Sequence, residues 1–328
     1  MQFWQKLQAH LEGGAPAFLA LVGDHSDHSP GTRGAKIFVR PDATTEGTIG
    51  GGVMEGDLIA RGVEVLGAGT EFAPHFQTLL HRNKGPGLKS GLGCAGEQTN
   101  VYVVAQPARD LAAVREIARR VEADEAGLVR IDARGISLRE EDAIARETPP
   151  VRLTVDGENW RYEEQLLNWK RAAIFGGGHC ALALSRVLKN LGYTVSVFDT
   201  RADVFTFTGN THARHRVVVA DFKDAGAQVR HPEMTHAIVM TKELPADVRA
   251  LMGIIERPFP YIGVMGSPAK LAKIRRELFE AGFDKALFDG ANIYAPIGLP
   301  MTSNTPEEIA ISIAGELLAE RGALFPMV

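Results

Sequence analysis

Cysteine is scarce in this sequence. Two occur in 328 residues, Cys94 and Cys180, too few for a disulfide framework or for a zinc site by themselves, so any cysteine chemistry is that of single thiols. An excess of positive charge is also absent: 36 Lys and Arg stand against 40 Asp and Glu, a net charge of -4. Without a basic tail or patch the chain lacks the concentrated cations that nucleic-acid binding requires. No apolar run approaches the ~20 residues of a membrane span, and the opening Met1-Gln2-Phe3-Trp4-Gln5-Lys6 has no apolar core of the signal-peptide kind. These absences predict a cytoplasmic protein with neither nucleic acid nor membrane as partner. Disorder is excluded too, because 45% apolar and 23% charged residues are the proportions of ordinary folded domains.

Glycine, by contrast, is plentiful: its 35 copies exceed the usual ~7% share and predict tight turns or close backbone approaches to a ligand. The length predicts two domains, since single cores stop growing at roughly 250 to 300 residues. In the first, Phe3, Leu7 and Leu11 repeat at helical spacing, Ala17 to Val22 and Lys36 to Val39 read as strands, and Met54, Leu58, Ile59 and Val63 share one face of a helix over Val53 to Leu66. Strands are expected over Glu71 to Leu80 and Thr99 to Ala105, and a helix over Arg109 to Glu122. The acidic stretch Leu138 to Pro150, closed by Pro149-Pro150, marks the expected end of this domain at residue 150. Residues 151–169 read as a linking hairpin around Asp156-Gly157. From residue 170 to 328, short β-rich runs at Ala172 to Phe175, Thr194 to Asp199, Arg216 to Val219, His236 to Met240 and Tyr261 to Val264 alternate with helical stretches. The fold class is therefore α/β: an N-terminal α+β domain followed by a C-terminal Rossmann-like, doubly wound parallel sheet.

The strongest chemical signal opens that second domain. Ala172-Ala173-Ile174-Phe175-Gly176-Gly177-Gly178-His179-Cys180-Ala181 is a strand, a glycine turn and a helix start in the pattern G-x-G-x-x-A. Gly176 permits the turn, Gly178 lets the backbone approach a phosphate, and the helix N-terminus favours the ligand's negative charge. Asp199 ends the next strand near the spacing of a ribose-binding carboxylate, while Arg201 beside it can instead accept a 2′-phosphate, so NAD, NADP and other nucleotides all stay open. His179 either touches phosphate or is a plain cap residue, and Cys180 reads as packing. Thr241 and Asp247, then Gly266 and Ser267, follow strands and so fall at the carboxyl edge of the sheet, where such folds bind ligands; Ser267-Pro268 reads equally as a helix cap.

In the first domain, Gly50-Gly51-Gly52 precedes a helix and forms a second candidate anion nest, with Glu55 either catalytic or a complement to the helix dipole. Arg33 is a candidate cation for the same anion. Cys94 lies in a glycine-rich loop, Gly85 to Gly96, with Arg82, Lys84 and Lys89 nearby; cations favour thiolate, the form that ligates metals or carries sulfur, and the alternative is a buried small residue.

Taken together, Gly47 to Gly52 with Glu55, Gly93-Cys94-Ala95-Gly96, Phe175 to His179, Tyr261 to Ser267, and Ala295 to Leu299 with Thr305 to Ala310 resemble the XdhC/CoxI family. Its members are accessory proteins that mature molybdenum hydroxylases such as xanthine dehydrogenase and aerobic carbon monoxide dehydrogenase. The resemblance implies an XdhC/CoxI-type N-terminal domain, binding of molybdenum cofactor (molybdopterin), support for its sulfuration, and delivery to a molybdenum hydroxylase apoenzyme, with a cysteine desulfurase as sulfur donor. It implies a cofactor-binding chaperone rather than a turnover enzyme, and Cys94 as the metal-facing cysteine. The chain departs from the family pattern at Ala95, Lys242, Pro268 and Pro300-Met301-Thr302. Two rivals remain: a nicotinamide-dependent oxidoreductase using Thr241, Lys242 and Asp247, and a nucleotide-sensing regulatory module. A homodimer is the expected assembly.

Overall fold

The structure, a computed structural model, describes residues 2–80, 96–139, 149–157, 159–285 and 292–324. It divides into two compact units, Met1–Leu167 and Asn168–Val328.

In the first unit α1 (Gln2–Glu12) leads to β1 (Ala17–His25), β2 (Lys36–Val39) and β3 (Thr45–Thr48). Next come α2 (Gly52–Ala68), β4 (His75–Leu80), β5 (Glu97–Ala105) and α3 (Pro107–Ala123). Strands β1 to β5 make an antiparallel sheet in the order β3-β2-β1-β5-β4. The central β1 is covered on both faces, which explains why Ala17 to Val22 is an unbroken apolar run rather than an alternating one. Phe18, Ala20 and Val22 pack with Met54 and Leu58 of α2. Ala17, Leu19 and Leu21 face the opposite core, built with Leu7 and Leu11 of α1 and Val114 and Ile117 of α3.

Four further strands follow: β6 (Leu128–Asp132), β7 (Gly135–Arg139), β8 (Val151–Asp156) and β9 (Asn159–Gln165). They form a second antiparallel sheet, β7-β6-β9-β8, and its Val129, Ile131, Ile136 and Tyr162 join the core shared by α1 and α3. Two expectations are corrected here. The boundary lies between Leu167 and Asn168 rather than at residue 150, and the hairpin at 151–165 is part of a sheet rather than a linker. The misreading has a physical source. Strands β7 and β8 are the two edges of their sheet and bury little after their first residues, so their sequences are as polar as a linker's.

The second unit begins β10 (Arg171–Phe175), α4 (His179–Asn190), β11 (Thr194–Asp199), α5 (Phe205–Thr208), β12 (His215–Val218), α6 (Phe222–Ala225) and β13 (Thr235–Val239). It continues with α7 (Leu244–Ile254), β14 (Tyr261–Val264), α8 (Pro268–Glu280), β15 (Ile293–Tyr294), α9 (Pro306–Ala319) and α10 (Arg321–Leu324). All six strands are parallel, in the order β12-β11-β10-β13-β14-β15. Counted from β10 that is 3-2-1-4-5-6, the doubly wound order of dinucleotide-binding folds, whose ligand crevice lies at the carboxyl ends of the strands where the order reverses. Leu184 and Leu188 of α4 and Ile313 and Leu317 of α9 cover one face of the sheet. Val248 and Leu251 of α7 and Ile274 and Leu278 of α8 cover the other. Thr305 and Glu308 close a reciprocal capping box at the start of α9. Among the described residues no helix is long and apolar enough to cross a membrane.

Candidate functional site

At the carboxyl edge of the parallel sheet the three glycines after β10 have three different jobs. Gly176 has φ +113°, and a Cβ on it would lie 2.5 Å from the Met240 carbonyl oxygen; it is there to let β10 turn against the end of β13. A Cβ on Gly177 would strike the Phe207 ring at 2.8 Å. Gly178, in contrast, has φ −78° and nothing within 4 Å of where a Cβ would stand. It is the N-cap of α4, and among the described residues no side chain bonds to the helix's first amides. An uncapped helix start beside open space suits an anion. His179 is exposed there, its ring edge-on to Phe205 at 5.5 Å, and Phe205 itself is 69% exposed. Cys180 packs into the core below; burial, and then the charge of Glu307, push its thiol above the ordinary range, so it stays protonated and inert.

Asp199 is engaged within the fold. Its fully buried carboxylate accepts four hydrogen bonds: from the Arg201 amide (2.9 Å) and Nε (2.9 Å) on Oδ1, and from the Gly177 amide (2.6 Å) and Arg201 Nη2 (2.8 Å) on Oδ2. A carboxylate offers about four lone-pair sites, so none remains for a ribose hydroxyl. Asp199 and Arg201, expected at a ribose or a 2′-phosphate, here hold one another and brace the glycine turn. Thr206 braces it as well, donating from Oγ1 to the Gly177 carbonyl at 2.6 Å. Arg201 keeps 40% of its side chain exposed, leaving its outer edge available to a second anion.

Thr241 and Asp247 are likewise committed to each other. The Thr241 amide and Oγ1 both donate to Asp247 Oδ1, at 3.0 and 2.6 Å, and Lys270 of α8 forms an ion pair with Asp247 Oδ2. Gly266 gives the Lys270 stem its room, since a Cβ there would meet Lys270 Cδ at 2.9 Å. Ser267 is the N-cap of α8, its Oγ accepting from the Lys270 amide at 3.3 Å. Thr241, Asp247, Gly266 and Ser267, expected at a ligand, here build a lock between the ends of β13 and β14. Sequence reading missed Lys270, because a pairing partner 23 residues away leaves no local pattern.

In the first unit Gly50, Gly51 and Gly52 have φ of +124°, +74° and +70°, a nest as expected. Its occupant is internal. Glu55 Oε2 accepts from Thr48 Oγ1 (2.7 Å) and from the amides of Ile49 (3.1 Å) and Gly51 (3.1 Å), and the Gly50 amide donates to Thr48 Oγ1 at 3.2 Å. The anion of this nest is the chain's own carboxylate, bonded through Glu55 Oε2. Glu55→Ala is expected to lower the stability of the first unit by about 1 to 2 kcal/mol, read as a shift of its urea midpoint; unchanged stability would return Glu55 to the list of catalytic candidates. Arg33 is also diverted: its guanidinium pairs with Asp24 at 2.5 Å.

Around this nest two loops are tied to β5 by a buried amide that sequence reading passed over, having begun that strand at Thr99. Gln98 Oε1 accepts from the Gly31 amide and Ser29 Oγ, both at 3.1 Å, while Nε2 donates to the Ile49 carbonyl (3.1 Å) and Asn100 Oδ1 (2.9 Å). Asn100 Nδ2 in turn donates to Tyr102 Oη at 3.2 Å. The signal was a polar residue at alternate positions of a strand otherwise made of core residues. Cys94 lies outside the described residues; Gly96, two positions later in the chain, is packed so closely on the 28–29 backbone that a Cβ would stand 2.7 Å from the Ser29 nitrogen. Among the described residues no cluster of three or more His, Cys, Asp or Glu forms a metal site.

Known proteins resemble the chain in both units. Residues 173–317 match the family model described as the XdhC Rossmann domain, and residues 10–77 match that of the XdhC and CoxI family. Uncharacterized protein YqeB of Escherichia coli K12 is 28% identical over 152 residues, which are 45% of this chain and 27% of that protein, so the chain matches only about a quarter of this relative's length. Among solved structures, a protein described as a xanthine dehydrogenase from Bacillus halodurans shares 20% identity at a TM-score of 0.71, covering 98% of this chain and 96% of that one. At that identity the likeness is one of fold.

Proposed function

This chain belongs to the XdhC and CoxI family, and from that premise we propose that it is a maturation factor of a molybdenum hydroxylase, which binds molybdenum cofactor, supports its sulfuration and hands it to the apoenzyme. The observation that carries the binding half of this reading is the open, uncapped start of α4 at Gly178 beside a saturated Asp199. The site can take a phosphate, which molybdopterin has, but it lacks the free carboxylate with which a nicotinamide enzyme of this fold grips ribose. With Thr241 bonded to Asp247 and Asp247 paired with Lys270, two of the rival oxidoreductase's three substrate residues are engaged within the fold. Of the two anion cradles expected, the one in the second unit fits the phosphate, through the amides of His179 and its neighbours, and the Glu55-filled nest does not. The cofactor supplies the metal and its exchangeable ligand, and Cys94 is the residue that the family resemblance implies for sulfur handling. A cysteine desulfurase is the sulfur donor in this scheme.

The test is purification from molybdenum-replete cells, with pterin read by fluorescence after oxidation and molybdenum by mass spectrometry. Wild-type chain is expected to carry both, and Cys94→Ala to keep pterin while losing most of its molybdenum. Wild-type chain free of both, together with NADH-dependent turnover of a small carbonyl substrate, would replace this reading by the oxidoreductase.

A further inference from the structure

Helix α9 is apolar on two sides. Ala310, Ile313, Ala314 and Leu317 are buried in the core beneath it, as the inward stripe of an amphipathic helix should be. The outer side should then be polar, and it is not. Ile311, Gly315 and Leu318 follow one another there at spacings of four and three, which put them on one face, with Ala319 beside them and no charge among them. Ile311 is 55% exposed and Leu318 38%.

The segment leading into the helix extends this surface. The Leu299 amide donates to the Ser312 carbonyl at 3.2 Å, and the Leu299 carbonyl accepts from Ser312 Oγ at 2.9 Å. That pins Leu299 against α9, where a Cβ on Gly315 would stand 2.7 Å from Leu299 Cδ1. Glycine at 315 therefore lets the leucine lie over the midpoint of the stripe, and Met301 stands exposed two residues further on. Leu299, Met301, Ile311 and Leu318 are half of the eight large apolar side chains exposed among the described residues, and apolar surface gathered in this way marks an interaction face.

We propose that this face pairs with itself: two copies of the chain associate through α9 and Leu299, antiparallel about a two-fold axis that passes between Ala314 and Gly315. The spacing selects this occupant. Reversing the stripe about that point sets Ile311 of one copy against the partner's Leu318 and repeats the contact at the other end, with the two copies of Leu299 closing the centre. The charges agree with it. Helix α9 starts with Glu307 and Glu308 and is followed by Arg321, and neither Glu307 nor Arg321 has an ion-pair partner among the described residues. Antiparallel pairing brings Glu307 level with the partner's Arg321, whereas a parallel pair would set acid on acid. Each contact is made twice, as in any isologous interface. The proposal stands on this face alone and is independent of the cofactor role.

The test is sedimentation velocity of the full chain, wild type against Ile311→Glu and Leu318→Glu. Both positions are exposed, so both variants should keep the wild-type urea midpoint. Wild-type chain is expected to be dimeric at about 50 μM, with a dissociation constant in the micromolar range or tighter. Each variant is expected to raise that constant about a hundredfold, because the two-fold buries two carboxylates against apolar surface. The register is read separately, from Ile311→Cys and Leu318→Cys combined in one chain. Seven residues apart on a helix, the two thiols are about 10 Å from each other within one copy, beyond a disulfide, but they meet across the axis. Oxidation of the double variant is therefore expected to give more covalent dimer than oxidation of wild-type chain. A wild-type monomer at that concentration would leave the face to a different protein and overturn the proposal. A dimer that both glutamate variants leave intact, or a double-cysteine variant that cross-links no more than wild type, overturns it as well. None of these readouts depends on the molybdenum content of the purified chain.

Discussion

Asp199→Ala is expected to cost the second unit about 3 kcal/mol, the usual penalty for removing one partner of a buried ion pair. The loss is large because the substitution strands the amide of Gly177 along with three donors of Arg201, and the glycine turn between β10 and α4 then keeps the Thr206 hydroxyl on the Gly177 carbonyl and the Gly176 amide on the Phe198 carbonyl as braces. Asp199→Asn does little better, since its amide nitrogen presents a donor to groups that are themselves donors. Hydrogen exchange over peptides covering 171–199 in rising urea isolates the effect from the first unit. The acid dependence follows from the same contacts. Burial by itself raises the Asp199 pKa, but the Arg201 fork, the amides of Gly177 and Arg201 and the Arg201 charge outweigh it, leaving the carboxyl below the ordinary range. A carboxyl with a depressed folded pKa adds stability above its unfolded value of ~3.9 and loses it as pH falls through the folded value. Below about pH 4, therefore, the wild-type second unit should weaken more steeply than the Asp199→Ala unit. If Asp199→Ala leaves stability intact and instead abolishes binding of NAD, the carboxylate is a ribose clamp after all.

What was legible in the sequence is what is local. The run from Ala172 to Asp199 gives away strand, turn, helix and strand because glycines, core spacing and the terminal acid all fall within one βαβ unit, and the parallel sheet follows from its repetition. The partners of the charged residues were harder. Asp199 and Arg201 stand two apart, close enough for their mutual fork to be foreseen, yet a free acid and a free arginine each match a nucleotide site and so obscured it. Lys270 with Asp247, and Gln98 with Gly31 and Ile49, are joined by tertiary structure alone. The edge strand β7 was lost for a third reason, since it is half-exposed and carries no more apolar residues than a loop, and β8 was read as one arm of a hairpin but not as the edge of a sheet. In each case the sequence named the chemistry of a residue, while folding decided whether that chemistry was turned outward or spent within the fold.

The sharpest separation of outward from inward chemistry comes from two glycines in one turn. Gly176→Ala should destabilise the second unit by about 3 kcal/mol or more, since the methyl must be strained at a positive φ and also displace neighbouring backbone. The atoms in its way, the Met240 carbonyl at 2.5 Å and the Thr241 Cα at 2.9 Å, belong to the end of β13 and its continuation and cannot swing aside as a flexible side chain would. Gly178→Ala meets none of this: its φ of −78° suits any residue, and its methyl enters empty space. Stability should stay within about 0.5 kcal/mol, the small N-cap preference for glycine being offset by a less flexible unfolded chain. That empty space is, however, where a phosphate must come to reach the first amides of α4. The same methyl that the fold ignores should therefore cut the pterin and molybdenum carried by the purified chain about tenfold, the equivalent of ~1.4 kcal/mol in affinity. Urea midpoints and cofactor content measured on the two variants decide the matter: full cofactor content in a stable Gly178→Ala chain would mean that the open end of α4 is not where the ligand's charge is held.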